Sequence, residues 1–333
     1  MYIVLKSKFR NLFLAFGILA VIIMLFTFDV SYDELLDNLR RAGFYLPLVL
    51  VLWLFIYLIN TLSWYIILRS SGPVNSLSFA RLYKFTVSGF ALNYVTPVGL
   101  MGGEPYRIME LTPYVGVERA TSSVILYVMM HIFSHFCFWL SSVLIYVFFY
   151  PVGWGMGIVL GLTTLFCLLL VTLFIKGYRN GMAVACVRLG SHIPFLKKRA
   201  VRFAELHKEK LETIDSQIAL LHQQRKSTFY LALGLEYTAR IVGCLEVWLI
   251  LNVLTTDVSF VGCILIVAFS SLLANLLFFL PMQLGGREGG FALAVAGLSL
   301  SGAYGVFAAL ITRVREMVWI VIGLVLMKIG NRK

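Results

Sequence analysis

Charged side chains are scarce in this sequence: only 13% of its 333 residues are Asp, Glu, Lys or Arg, while 60% are hydrophobic. Soluble globular domains carry about 25% charged and about 45–50% apolar residues. The shortage of charge excludes an ordinary soluble domain, and the long apolar runs indicate a polytopic membrane protein. We expect the whole chain, residues 1–333, to form a single integral membrane domain.

The sequence also lacks the short motifs of several enzyme classes. It has no G-x-x-x-x-G-K-[ST] loop, which argues against ATP-driven transport by this chain alone, and no G-x-S-x-G hydrolase elbow. Its five cysteines stand singly, so neither a disulfide framework nor a thiolate metal site is expected. His131 and His135 are spaced i, i+4, but no acid accompanies them as in H-E-x-x-H. We predict no metal, no cofactor and no catalytic residue.

Apolar runs long enough to cross a bilayer, which takes about 20 residues per helix, occur at several places. We predict full crossings at 12–28, 44–68, 120–149, 155–176, 228–254 and 302–327. Two further apolar regions, 84–111 and 258–299, are interrupted by Pro and Gly, and each is predicted to be a helical hairpin that enters and leaves on one side. The predicted fold class is an all-α polytopic membrane protein with about six full spans and two broken, re-entrant hairpins.

The basic residues lie mainly outside the apolar runs, and the net charge is +12. Most of them, including eleven in 176–226, fall on one side of the predicted topology, which the positive-inside rule makes cytoplasmic. The charge therefore indicates orientation and not nucleic-acid binding. We predict a protein of the cytoplasmic (inner) membrane with both termini in the cytoplasm and an amphipathic connector at 177–226. Arg40 and Arg41, in the first external loop, disagree with this orientation.

One eight-residue pattern, P-x-x-L-x-G-x-E, occurs once in each interrupted region. The copies occupy 97–104 and 281–288. Because Pro removes a backbone donor and Gly weakens a helix, we predict helix breaks at Pro97 and Pro281. In hydrocarbon such a break is tolerated only inside protein or beside a polar cavity.

We define the repeat shift as the difference in residue number between Pro97 and Pro281. Adding the same difference to other residue numbers also relates whole spans of the sequence. It carries the span 44–68 onto 228–252 and Trp64 onto Trp248. We predict two repeats, 44–149 and 228–327, with opposite orientations in the membrane. Paired interrupted segments in two inverted halves point to a transporter site at the repeat interface. Chance recurrence of residues that are frequent in membrane helices is the alternative.

Ionisable residues inside apolar runs are costly and are therefore candidates for function. Because the planar fork of arginine suits bidentate contact with phosphate, we predict that the arginines bind an anionic lipid headgroup. The acids would position them, bind a cationic headgroup or exchange protons. The competing explanation is structural pairing, for example of Glu236 with Arg240 at i, i+4. The predicted substrate-binding residues are Asn93, Gly102, Glu104, Arg107, Gly286, Arg287, Glu288 and Arg313.

The runs N-Y-V-T-P-V-G-L-M-G-G-E-P-Y-R at 93–107 and L-P-M-Q-L-G-G-R-E-G-G at 280–290 resemble the paired motifs of a known family. This family comprises flippase-like integral membrane proteins related to the membrane domain of lysylphosphatidylglycerol synthases. The resemblance covers about 10–328 and implies an inner-membrane protein that binds lipid and moves it between leaflets. Arg287 has no direct counterpart in the first motif unless Arg107 supplies it. Because the sequence ends at Lys333, we expect no aminoacyl-transfer domain.

Three functions are compatible with this resemblance. The leading hypothesis is a lipid translocase that binds an anionic phospholipid headgroup between the two hairpins. The first alternative is a membrane transferase acting on a polyprenyl-phosphate-linked sugar, with Glu104 or Glu288 as its base; the second is a non-catalytic lipid-binding scaffold. Transport is favoured over enzymatic activity. The expected partner is a membrane lipid, and the sequence leaves the oligomeric state open, a homodimer included.

Overall fold

The computed structural model describes residues 40–74, 77–95, 102–180, 209, 212–213, 215–216, 226–255, 257–276 and 286–329. The secondary-structure elements in these ranges are α-helices, which confirms the predicted all-α class. The predicted span 12–28, the two prolines at which helix breaks are predicted, and most of the connector 177–226 lie outside the described residues.

The helices that build the bundle are named here in chain order. They are α1 (Tyr45–Ser70), α2 (Phe79–Val95), α3 (Gly103–Val115), α4 (Val117–Phe149), α5 (Trp154–Asn180), α6 (Lys226–Leu251), α7 (Phe260–Leu276), α8 (Gly286–Ala296) and α9 (Gly302–Lys328).

Five of these helices match predicted crossings, namely α1, α4, α5, α6 and α9. Helix α1, helix α4 and residues Trp154–Leu173 of α5 are long and apolar enough to span a membrane. Helices α6 and α9 reach similar lengths of 26 and 27 residues. They are less apolar because each carries several charged side chains that are buried in the bundle.

The two predicted hairpins each appear as a pair of shorter helices. Helix α2 packs on α3, and α7 packs on α8. The joining residues, 96–101 and 277–285, lie outside the described part of the chain, so the breaks at Pro97 and Pro281 stay predictions. Helices α3 and α8 begin at Gly103 and Gly286, which places both motif acids in the first turn of a helix.

Helices α1 and α6 form the most extensive contact of the bundle. Helix α9 packs on α2 and α8, while α4 packs on α3, α6 and α7. Helix α5 lies at the periphery: it packs mainly on α4, and only 6% of its membrane-spanning stretch is buried. Its exposed leucine, isoleucine and phenylalanine side chains form a surface suited to contact with lipid.

Helices α8 and α9 approach each other closely at Gly305. A Cβ atom built there would meet the backbone carbonyl of Phe291 and would lie 2.7 Å from the Cα of Ala292. Small residues at helix interfaces allow such approach in membrane proteins.

We expect Gly305→Ala to lower the thermal unfolding midpoint of the detergent-solubilised protein, because overpacking typically costs about 1–3 kcal/mol. Gly234→Ala in α6 is the matched control, since no atom lies within 4 Å of a Cβ added there. Alanine also favours a helix over glycine, so the control should keep or raise the midpoint. Equal midpoints for the two variants would contradict the close packing of α8 on α9.

Candidate functional site

A cavity of about 280 Å³ lies inside the helix bundle, and we name it the central cavity. Residues of α1, α2, α4, α6, α7, α8 and α9 line it. Its acidic and basic lining residues are three glutamates and three arginines: Glu236, Glu246, Glu316, Arg240, Arg287 and Arg315. Because charge is costly within hydrocarbon, such a cluster in a membrane-spanning bundle is a candidate functional site.

Arg315 and Glu246 form a bidentate ion pair between α9 and α6. Arg315 Nε lies 2.8 Å from Glu246 Oε1, and Arg315 Nη2 lies 3.0 Å from Glu246 Oε2. Trp53 of α1 donates its indole N–H to Glu246 Oε2 at 2.8 Å, and the Arg315 guanidinium lies 3.7 Å from the centre of the Trp53 ring. This pair joins three helices and leaves both of its charges compensated.

Arg287 forms a second ion pair across the cavity wall. Its Nη1 lies 2.5 Å from Glu316 Oε1, which joins α8 to α9. Glu316 Oε1 also lies 3.6 Å from Arg315 Nη1, so this carboxylate is shared between two arginines. The Arg287 side chain is 20% exposed and therefore faces the cavity more openly than Arg315, which is 2% exposed.

Arg240 differs from the other cavity arginines in its contacts. Its Nε donates to Ser134 Oγ at 2.6 Å, and its Nη2 donates to the His131 carbonyl at 2.5 Å. Within the described ranges, no carboxylate forms an ion pair with it. The pairing of Glu236 with Arg240 suggested by their spacing does not form, because Glu236 Oε2 instead bonds His131 Nδ1 at 2.8 Å.

Four polar atoms of the cavity lining have no hydrogen-bond partner among the described residues. They are Asn60 Oδ1, His135 Nδ1, Glu236 Oε1 and Arg315 Nη1. Asn60 is 4% exposed and Glu236 is 1% exposed, so both are deeply buried. An unpaired buried polar group costs about 1–3 kcal/mol, and these atoms therefore favour a polar occupant of the cavity.

The residues predicted from the first motif form a network outside the central cavity. Asn93 Nδ2 donates to Glu104 Oε1 at 2.9 Å, and the backbone N–H of Gly103, next to Gly102, donates to Asn93 Oδ1 at 2.7 Å. Arg107 Nη1 contacts Glu104 Oε1 at 3.2 Å. The network ties the start of α3 to the end of α2.

Arg107 is buried, with 1% of its surface exposed. Its guanidinium donates to the carbonyl of Thr86 at 3.3 Å and lies 4.7 Å from the ring centre of Phe90 and 5.3 Å from that of Tyr127. These contacts give Arg107 a bracing position between α2, α3 and α4.

The residues predicted from the second motif and from the last span divide between two places. Arg313 Nε contacts Glu288 Oε1 at 2.8 Å and braces the start of α8 against α9, and neither residue lines the central cavity. Of the three predicted arginine ligands, Arg287 alone lines it. Sequence reasoning missed Arg240 and Arg315 as cavity residues, although both were visible as charges inside apolar spans.

The sequence model of the family described as the lysylphosphatidylglycerol synthase TM region matches residues 12–324. The chain belongs to this family. The match spans both motif regions and confirms the resemblance seen in the sequence. Membership of the lysylphosphatidylglycerol synthase TM family, together with the apolar helices, establishes a membrane protein. No curated protein and no solved structure matches the chain.

We expect Glu246→Gln to destabilise the protein strongly, because it leaves Arg315 buried without a charge-compensating bidentate partner. Removal of one member of a buried ion pair costs about 3–5 kcal/mol. Asp257→Asn is the control: Asp257 is exposed in the loop before α7, and its neutralisation should change the free energy of unfolding by less than about 0.5 kcal/mol. Chemical unfolding in mixed micelles measures both. A tolerated Glu246→Gln would show that the pair is not needed for folding.

Proposed function

We propose that this member of the lysylphosphatidylglycerol synthase TM family is a lipid translocase whose central cavity binds a phosphate-bearing lipid headgroup. The observation that carries the proposal is Arg240, a guanidinium inside the bundle that contacts only neutral acceptors among the described residues. A half-buried arginine inside the bundle that forms no ion pair is costly, and a phosphate would give it a charged acceptor in bidentate geometry.

The ligand set of this proposal differs from the one expected from the sequence. Arg240 and Arg287 would bind the phosphate, because both line the cavity and neither is held by a bidentate carboxylate. Arg315 already has a bidentate carboxylate partner in Glu246, which binds its Nε and Nη2. Arg107 and Arg313 would brace the two hairpins through Glu104 and Glu288. A volume of about 280 Å³ suits a headgroup and not a whole lipid.

The helix contacts support the proposed inverted repeat of 44–149 and 228–327. Under the repeat, helices α1–α4 correspond to α6–α9. The contact of α2 with α3 then corresponds to that of α7 with α8, and the contact of α3 with α4 to that of α8 with α9. Between the two repeats, the contact of α2 with α9 corresponds to that of α7 with α4. A site between two such halves suits alternating access.

The same proposal includes an orientation in the membrane. Eleven Lys and Arg residues in 176–226 favour a cytoplasmic position for that segment. Helix α5, which precedes this segment, would then run towards the cytoplasm, and α6, which follows it, would run away from the cytoplasm. The protein would lie in the inner membrane with both termini in the cytoplasm.

We expect Arg240→Gln and Arg287→Ala each to slow lipid movement between leaflets by about tenfold, the effect of losing a charge-assisted hydrogen bond. Purified protein in liposomes with a fluorescent phospholipid, quenched from outside by dithionite, measures the rate. Arg81→Ala is the matched control, since Arg81 is exposed at the start of α2 and does not line the cavity. Equal rates for all variants would overturn the ligand assignment. Wild-type rates no faster than those of empty liposomes would overturn the translocase.

We expect native mass spectrometry to detect a phospholipid bound to the wild-type protein and to show a lower occupancy in Arg240→Gln. Arg81→Ala should retain the wild-type occupancy. A polyprenyl-phosphate lipid in place of a phospholipid would favour the transferase alternative. A scaffold would be favoured if neutralisation of Arg240 and Arg287 changed neither the occupancy of bound lipid nor the phenotype of cells that carry the variant.

A further inference from the structure

A second cavity, of about 230 Å³, lies between α4, α5 and α7, and we name it the lateral cavity. Three polar side chains, His131, His135 and Asn275, line both the lateral and the central cavity. The other lining residues of the lateral cavity are aliphatic or aromatic. The two cavities therefore meet at these three side chains, with charged groups on one side and apolar groups on the other.

The outer end of the lateral cavity lies at the lipid-facing surface of the bundle. Phe166 of α5 and Leu276 of α7 belong to its lining and are 36% and 49% exposed. Helix α5 packs mainly on α4, and its membrane-spanning stretch is 6% buried, so its surface faces hydrocarbon. The lateral cavity thus extends from the surrounding hydrocarbon to the wall of the central cavity.

The polarity along this path changes in the order found in a lipid molecule. The central cavity carries the arginines and glutamates, the junction carries two imidazoles and one carboxamide, and the lateral cavity is apolar. A phospholipid likewise passes from phosphate through ester groups to alkyl chains. A lipid whose headgroup is bound inside the bundle needs an apolar opening through which its chains reach the bilayer. The chains are costly to expose to water, and the phosphate is costly to expose to hydrocarbon.

A hydrogen bond joins α4 to α7 at the wall of the lateral cavity. Trp139 Nε1 donates to Ser271 Oγ at 3.0 Å, and within α7 Asn275 Nδ2 donates to the Ser271 carbonyl at 2.8 Å. The His135 ring lies between those of His131 and Trp139, edge-on to His131 with ring centres 5.7 Å apart and tilted against Trp139 with ring centres 5.4 Å apart. The opening therefore has one ordered wall on α4 and α7 and an apolar wall on the peripheral helix α5.

We propose that the lateral cavity binds a hydrocarbon chain of the same lipid whose phosphate occupies the central cavity. This inference rests on the proposed headgroup site. It assigns Phe166, Leu170 and Leu272 to chain binding, and it makes the space between α5 and α7 the route by which the lipid enters from the bilayer.

Photo-crosslinking tests the chain site directly. Full-length protein is placed in nanodiscs of phosphatidylglycerol that contain a trace of phosphatidylglycerol with a diazirine on its acyl chain, and adducts are mapped by mass spectrometry. We expect adducts on Phe166, Leu170 and Leu272 that fall by about tenfold in the double variant Arg240→Gln/Arg287→Gln. Adducts on Leu162 and Leu165, which are 62% and 66% exposed on α5, should not change. Equal labelling of the lateral cavity in wild type and double variant would overturn the inference.

A second pair of variants separates this inference from the translocase itself. Leu272→Trp, which fills the lateral cavity, should abolish its labelling and slow lipid movement by about tenfold, while Leu165→Trp should match wild type. Arginine-dependent labelling without lipid movement would support the chain site and overturn the translocase. Lipid movement without such labelling would support the translocase and overturn the chain site. If Leu272→Trp fails to fold, the comparison of wild type with the arginine double variant still tests the chain site.

Discussion

The ion pair between Arg315 and Glu246 is the interaction on which the centre of the bundle depends. It lies where α1, α6 and α9 meet, and the Trp53 ring and indole N–H complete its surroundings. A charge in this environment must be compensated, because its desolvation costs several kcal/mol. The pair therefore sets the relative position of three helices from different parts of the chain and fixes one wall of the central cavity.

The positions of the helices could be predicted from the sequence because length and hydropathy are local properties. The span 44–68 appears as Tyr45–Ser70, and the span 302–327 appears as Gly302–Lys328. The motif acids also fall where the hairpin arms were expected, in the first turns of α3 and α8. Hydropathy was sufficient for the full spans, and the Pro and Gly interruptions for the two hairpins.

The partners of the charges could not be predicted in the same way, because pairing depends on distant parts of the chain. Glu236 and Arg240 have the spacing of a helical ion pair, yet Glu236 bonds His131, which lies on a different helix far away in sequence. Arg107 was a predicted ligand because it stands close to the first motif, and Arg313 because it is a charge near the centre of the last predicted span. They are held instead by Glu104 and Glu288, whereas Arg240 faces the cavity from a helix without a motif.

The distribution of charge makes the two halves unequal even if they descend from one repeat. Helix α6 carries Glu236, Arg240 and Glu246, but the positions in α1 that the repeat shift carries onto them are Leu52, Ile56 and Leu62. Since α6 rises about 1.5 Å per residue, its two glutamates lie about 15 Å apart along the helix. Glu236 pairs with His131 at one position on the cavity wall, and Glu246 pairs with Arg315 at the other. The second half thus supplies most of the charged lining, while the first supplies Trp53, Asn60 and the His131 junction. A headgroup bound there would contact mainly the second half. Relative movement of the two halves would therefore change the side of the membrane from which the headgroup can be reached, and it would leave the side chains that bind the headgroup unchanged.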